Sequence, residues 1–170
     1  MLVRMGSEFS EINLSYRDID LIVYDFDGVM TDNKVIMDQF GNESVVVNRS
    51  DGLAISKIKK IGIKQLILST EKNPVVQKRA EKLGIFCING ISNKKKALQK
   101  YLSNNKTDRK KVVYIGNDIN DLNVMKYVGI PIAPADAHPE IQKIARMIIN
   151  VKGGNGVVRE FFDVVINKIQ

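Results

Sequence analysis

Tryptophan is absent from this chain, cysteine occurs once, and only 6% of the 170 residues are aromatic. The lone cysteine, Cys87, excludes an internal disulfide framework and fits a reducing compartment, so a cytoplasmic location is expected. So few rings are poor material for stacking bases, and the lysines (Lys57, Lys59, Lys60, Lys94, Lys95, Lys96, Lys110, Lys111) lack interleaved aromatics. The net charge of +7 is compatible with an acidic partner without naming one, and the composition argues against nucleic acid. No apolar run approaches a membrane span and no signal-peptide pattern stands at the start, so no membrane association is expected. Repeats, low-complexity tracts and linker-like stretches are also missing.

What is present reads as a globular chain, with 44% hydrophobic and 26% charged residues. Residues 19–170 are expected to form one domain, with residues 1–18 an unstructured or vector-derived leader. Short apolar runs at 21–24, 63–68, 86–88, 112–115, 130–133 and 147–150 predict buried strands. Helical spacing over 51–61, a helix opened by Pro74 and closed by Gly84, and helical stretches at 94–102, 122–128, from 139 and from 157 fall between them. Residues 34–48 alternate around Phe40-Gly41-Asn42 and predict a hairpin. This order implies an α/β fold with a parallel sheet wound on both faces. Ligands of such sheets sit beyond the carboxyl ends of the strands. Asp25, Ser69 and Asn117-Asp118 each fall just after a predicted strand.

Asp25-Phe-Asp-Gly-Val-Met-Thr-Asp32 places two carboxylates two residues apart, followed by a glycine. One carboxylate in such a pair can attack phosphorus while the other handles protons. Gly28 lets backbone amides approach a phosphate closely. A bland Asp/Gly turn is the competing reading. Ser69 reads equally as a strand-end hydroxyl, Lys94 as part of a solvated lysine run, and residues 116–121 as an acidic turn. His138, before Pro139, reads as a helix cap, and Cys87 as inert core.

The octapeptide resembles the first motif of haloacid dehalogenase (HAD) phosphatases. The resemblance implies a Rossmann-like HAD fold, with Asp25 forming an aspartyl-phosphate and Asp27 acting as general acid and base. Ser69 then matches the second motif, a hydroxyl on the phosphoryl group, and Lys94 the third, a neutralising cation. Gly116-Asn-Asp-Ile-Asn-Asp121 matches the fourth, with Asn117 where the family usually has an aspartate. A Mg²⁺ ion is implied, held by Asp25, the Asp27 carbonyl and Asn117, with Asp118 and Asp121 behind it on metal-bound waters or on Lys94.

Only a hairpin and one helix separate Asp25 from Ser69, and only one helix and a strand separate Ser69 from Lys94, which leaves no room for a cap domain. With its hairpin, Arg49-Ser-Asp-Gly52, Ser92-Asn-Lys94, Ala135-Asp-Ala-His-Pro139, and Gly153-Gly-Asn-Gly156 with Arg159-Glu160, the chain is similar to the capless, tetrameric branch acting on sugar-acid phosphates, including domains fused to acylneuraminate cytidylyltransferases. That likeness implies a homotetramer with shared active sites. It also implies a small-molecule substrate met by Gly28, Ser50, Asp51, Thr70, Glu71, Arg79 and Lys82, the last two facing a neighbour's substrate carboxylate. Octulosonate enzymes typically carry Thr-Gly-Arg at the second motif, whereas this chain has Ser69-Thr-Glu71. A nonulosonate 9-phosphate is therefore the expected substrate. The alternatives are 3-deoxy-octulosonate 8-phosphate, or a non-catalytic oligomerisation module of a cytidylyltransferase system.

Overall fold

Leu21–Tyr24 (β1) is buried along its whole length, and its side chains divide between two cores with the period of a strand. Leu21 and Val23 pack in one cluster, Ile22 and Tyr24 in the other. The structure, a computed structural model, describes Leu14 and residues 16–166. Most of the expected leader lies outside the described residues; Tyr16–Asp18 form a 3-10 turn.

After β1 come the hairpin strands β2 (Ile36–Met37) and β3 (Glu43–Ser44), then α1 (Arg49–Lys60), β4 (Lys64–Leu68), α2 (Val75–Leu83) and β5 (Phe86–Ile88). The chain continues through α3 (Lys94–Asn105), β6 (Val112–Ile115), α4 (Leu122–Met125), β7 (Ile130–Pro134), α5 (Pro139–Ile144), β8 (Met147–Ile149) and α6 (Val157–Phe161), which runs into a π-helical turn, Phe162–Ile166. Six strands form one parallel sheet in the order β5-β4-β1-β6-β7-β8. Side chains of α1, α2 and α6 fill the core on one face, those of α3, α4 and α5 the core on the other. The chain leaves β1 towards β4 and returns to β6, so β1 lies where the winding reverses. That reversal opens a crevice at the carboxyl ends of β4, β1 and β6.

The element order carries no cap: only the hairpin and α1 lie between β1 and β4, and only α2 and β5 between β4 and α3. The hairpin is shorter than residues 34–48 predict, its ladder pairing only Ile36 with Ser44 and Met37 with Glu43. Val45, Val46 and Val47, a continuous apolar run in sequence, separate by alternation: Val45 and Val47 pack against the core, while Val46 is 66% exposed. The helix predicted at 122–128 ends at Met125. The chain must turn early there, because the Gly129 amide bonds the Arg109 carbonyl and any Cβ at Gly129 would overlap the Lys110 carbonyl.

Candidate active site

Register brings the predicted residues together. Tyr24 pairs with Ile67 on one side and Ile115 on the other, so Asp25, Ser69 and Asn117 leave three adjacent strands at the same end. The Asp25 amide donates to the Ile115 carbonyl at 2.9 Å, and the Ser69 amide to the Ile88 carbonyl at 3.0 Å, prolonging the ladders to the crevice floor.

Lys94 arrives from another element. Asn93 caps α3 by accepting from the Lys96 amide, which leaves Lys94 as the first helical residue. A cation there opposes the helix dipole, and this one is only 3% exposed. Two carboxylates offset both costs. Lys94 Nζ lies 2.7 Å from Asp25 Oδ1 and 2.7 Å from Asp121 Oδ1. Asp121 is itself fully satisfied, since Tyr114 Oη donates to its Oδ1 at 2.8 Å and the Asn117 and Asp118 amides to its Oδ2 at 3.0 and 3.4 Å. Asp25 Oδ1 also accepts from the Phe26 amide at 2.7 Å.

Burial pushes the Asp25 carboxyl well above the usual carboxylate range, the charge of Asp121 adds to this, and Lys94 pulls the other way. Burial pulls the Lys94 ammonium down, but Asp25 and Asp121 outweigh it and leave its pKa raised. Lys94 therefore stays charged, and Asp25 depends on nearby positive charge to act as an anion. The half-buried Asp27 carboxyl is raised by burial and then by the negative charge of Glu71, against a 3.4 Å bond from Thr31 Oγ1. It retains a proton more readily than a free aspartate, as a general acid must.

Three oxygen-bearing groups, one of them the Asp25 carboxylate, meet at one corner of the crevice. The Asn117 side-chain amide atom facing this corner lies 2.8 Å from the Asp27 carbonyl oxygen and 3.3 Å from Asp25 Oδ2. An amide can present either of its atoms to this corner: the nitrogen would donate to both oxygens, and the oxygen would serve as a ligand to a cation. Adjacent ligands of an octahedral magnesium, each at about 2.0–2.1 Å, are roughly 3 Å apart, so the corner fits that ion. Among the described residues no three His, Cys, Asp or Glu side chains gather as a metal site. A set of one carboxylate, one carbonyl and one amide suits a hard cation that keeps several waters.

The remaining predicted residues divide. Gly28, with φ +83°, turns the chain under Asn117, where a Cβ would overlap the Asn117 amide. Glu71 lines a cleft of about 190 Å³ with Asp27, Asn33, Val35, Glu43, Val45, Asn73 and Val75. Thr70 is half-buried between Ser69 and Glu71. Ser50 is taken up by the Asn48 side chain, to which its Oγ donates at 2.7 Å. Arg79 donates to the Asn48 carbonyl at 2.9 Å, and Lys82 is exposed in the last turn of α2.

One expectation needs correction, and a second, Asp118 on metal-bound waters or on Lys94, loses one of its two alternatives. Asp51 does not face the cleft: it is 1% exposed and accepts from the Arg159 amide at 3.0 Å, tying α1 to α6. It sits in the first turn of α1, on the side that packs inward. Asp118 does not reach Lys94. It is exposed and caps the 3-10 turn Ile119–Asp121, a turn that carries Asp121 inward to the lysine instead. Sequence reasoning missed Tyr114, which reads as core in an apolar strand, and Glu43, which sits on the hairpin yet accepts from Asn73 Nδ2 at 3.3 Å inside the cleft. His138 caps α5 as expected. Cys87 is half-buried, not core; burial pushes its thiol up to about 11, which keeps it inert.

The family model described as haloacid dehalogenase-like hydrolase matches residues 10–161. A 3-deoxy-D-manno-octulosonate 8-phosphate phosphatase of Yersinia pestis is 35% identical over 150 residues, covering 88% of this chain and 80% of the relative. A solved HAD family hydrolase from Streptomyces avermitilis is 44% identical with a TM-score of 0.87, covering 89% of this chain and 87% of that one. A 3-deoxy-D-manno-octulosonate 8-phosphate phosphatase from Moraxella catarrhalis, solved with magnesium, phosphate and KDO, is 28% identical with a TM-score of 0.82 over 91% of this chain and 95% of that one.

Proposed function

The chain belongs to the haloacid dehalogenase-like hydrolase family, and from that premise we propose that it hydrolyses the phosphate ester of 3-deoxy-octulosonate 8-phosphate through Asp25. It is a magnesium-dependent phosphatase acting on a sugar-acid phosphate. The observation that carries the mechanism is the buried Lys94 ammonium held between Asp25 and Asp121. Such a network fixes a nucleophile in place and gives it a counter-charge, and replacing one member leaves a buried charge uncompensated.

The Asp25 carboxylate attacks phosphorus, and the P–O bond to the sugar breaks as an aspartyl-phosphate forms. Asp27 gives its proton to the departing sugar oxygen. It then takes a proton from water as that water attacks phosphorus, which releases inorganic phosphate and restores the Asp25 carboxylate. Lys94 and the Ser69 hydroxyl hold the phosphoryl oxygens. Magnesium, when bound by Asp25, the Asp27 carbonyl and Asn117, offsets the repulsion between anionic nucleophile and anionic ester.

The octulosonate reading rests on the relatives and displaces the nonulosonate preference expected from Glu71. One observation keeps the nonulosonate reading in view: Glu71 lies in the cleft beside Asp27, where a carboxylate accepts hydrogen bonds from sugar hydroxyls. Side-by-side kcat/KM values for octulosonate 8-phosphate and nonulosonate 9-phosphates decide between them. A preference for the nonulosonate by more than about tenfold would reverse the assignment. An intact Asp25, Asp27 and Lys94 set speaks against a non-catalytic module.

The working unit of this reading is a homotetramer. Val35, Ile36, Met37, Phe40 and Val46 of the hairpin are each at least half exposed, an apolar surface that pairing between copies would cover. Arg79 and Lys82 then serve a neighbour's site.

A further inference from the structure

The loop between β8 and α6 touches no reacting atom, yet it lies against the turn that carries Asp25 and Asp27. A Cβ at Gly153 would overlap the carbonyl oxygen of Gly28 and stand 2.7 Å from its carbonyl carbon. At Gly154 a Cβ would stand 2.6 Å from the Asp32 nitrogen and 2.8 Å from the Thr31 carbonyl carbon. The two backbones meet with no side chain between them. The Gly154 amide donates to the Val29 carbonyl at 3.1 Å, and the Gly153 amide donates to Asp136 Oδ1 at 2.9 Å.

The segment between β7 and α5 grips the other side as well. Two residues after Asp136, the His138 amide donates to the Asn117 carbonyl at 2.8 Å. Asn117 in turn occupies the space that a Cβ on Gly28 would need. The Gly28 turn is thus held between Gly153 on one side and Asn117 on the other, and one short segment is bonded to both. Asp27, whose carbonyl stands at the magnesium corner, immediately precedes that turn.

We propose that Asp136 and Gly153 are positioning residues, a clamp that sets the separation between the Asp27 carbonyl and Asn117 and so shapes the magnesium corner. The inference rests on the magnesium-phosphatase reading above. It requires a glycine at 153, because a Cβ there forces the two backbones apart by about 1 Å, and a misplacement of that size can cost on the order of a hundredfold in rate. It requires of Asp136 only a hydrogen-bond acceptor, since its partner is an amide.

The test compares the full wild-type chain with Gly153→Ala, Asp136→Ala and Asp136→Asn, and with Ile58→Val at the far end of α1 as a stability control. Four quantities are read: kcat and KM for p-nitrophenyl phosphate, the magnesium dissociation constant by calorimetry, and Tm. Gly153→Ala is expected to lower kcat about a hundredfold and to weaken magnesium binding about tenfold, with KM little changed. Asp136→Ala moves the same quantities less far, and Asp136→Asn restores both. A folded Gly153→Ala that keeps wild-type magnesium affinity and kcat overturns the clamp. So does a variant that, like Ile58→Val, loses only Tm. If Gly153→Ala does not fold, the Asp136 pair decides, and an asparagine no better than alanine overturns the acceptor role. A wild-type chain that neither binds magnesium nor cleaves the ester overturns the phosphatase reading and the clamp with it.

Discussion

The floor of the crevice and the hairpin above it are built by opposite rules. Asp25, Lys94 and Asp121 are at most 3% exposed and the lysine bonds both aspartates, whereas Phe40 at the hairpin is 79% exposed and Met37 is 64% exposed. Charged groups are buried at the proposed catalytic floor, and apolar groups are exposed on the hairpin. Each arrangement is costly in isolation: a buried charge needs its partner, and an exposed apolar strand invites association. The floor meets its requirement within one chain. The hairpin leaves its apolar side chains exposed, which is why the catalytic machinery reads as self-contained and sharing between copies is proposed only for the recognition surface.

Substitutions in the two regions should therefore behave differently. The largest effect belongs to the floor. Asp25→Asn should abolish magnesium-dependent hydrolysis, by on the order of 10⁴-fold or more, because an amide does not attack phosphorus. Steady-state kinetics on any phosphate ester checks this, and near-normal turnover would remove the mechanism. Asp27→Asn should cost about 10²–10⁴-fold in kcat while leaving magnesium affinity unchanged by calorimetry, since only its carbonyl faces the ion.

Asp51 asks whether burial alone, away from the floor, is enough to perturb a carboxylate. Burial raises it from 3.8 to about 6, against the amides of Arg159 and Val158 and the charge of Arg79. The folded chain then binds this proton more tightly than the unfolded chain. Its contribution to stability is complete below pH 4 and is lost as the pH rises through about 6. Asp51→Asn should flatten that slope, changing the pH 4 to pH 7 difference in unfolding free energy by roughly 2 kcal/mol. Denaturant melts at the two pH values measure it, and an unchanged slope would mean that Asp51 is not the titrating group.

The hairpin comes next. Ile36→Asp with Phe40→Asp should break the assembly into smaller species by light scattering. It should lower kcat/KM for a sugar-acid phosphate about tenfold while sparing p-nitrophenyl phosphate. A wild-type chain that is already monomeric would dissolve the contrast drawn here. The smallest effect returns to the floor. Asn117→Asp adds a negative charge to the magnesium corner and should lower the half-saturating magnesium concentration by about an order of magnitude or less.

Much of this was legible in the residues. Leu-Ile-Val-Tyr followed by Asp25 announces a buried strand with chemistry at its end, because four apolar residues in a row satisfy both faces of a covered sheet. Asn93 caps α3, and that cap makes Lys94, not Lys95 or Lys96, the first helical residue. The acids after β6 were harder to separate. Asp118 and Asp121 lie in one turn, and nothing in their spacing says that the first looks outward and the second inward. Asp51 misled for a similar reason: a carboxylate in the first turn of a helix looks much the same whether it faces a ligand or a neighbouring helix.

By itself, then, the sequence determined the winding of strands and helices and the end of the sheet at which the candidate site gathers. These follow from local period, turn residues and short-range spacing, which act within a few residues. Only the tertiary structure decided that Lys94 bridges Asp25 and Asp121, that Asn117 meets the Asp27 carbonyl, and that Gly153 presses on Gly28. Those partners lie far apart along the chain and meet because parallel strands in register bring their ends to one edge, where distance is set by packing and not by sequence separation.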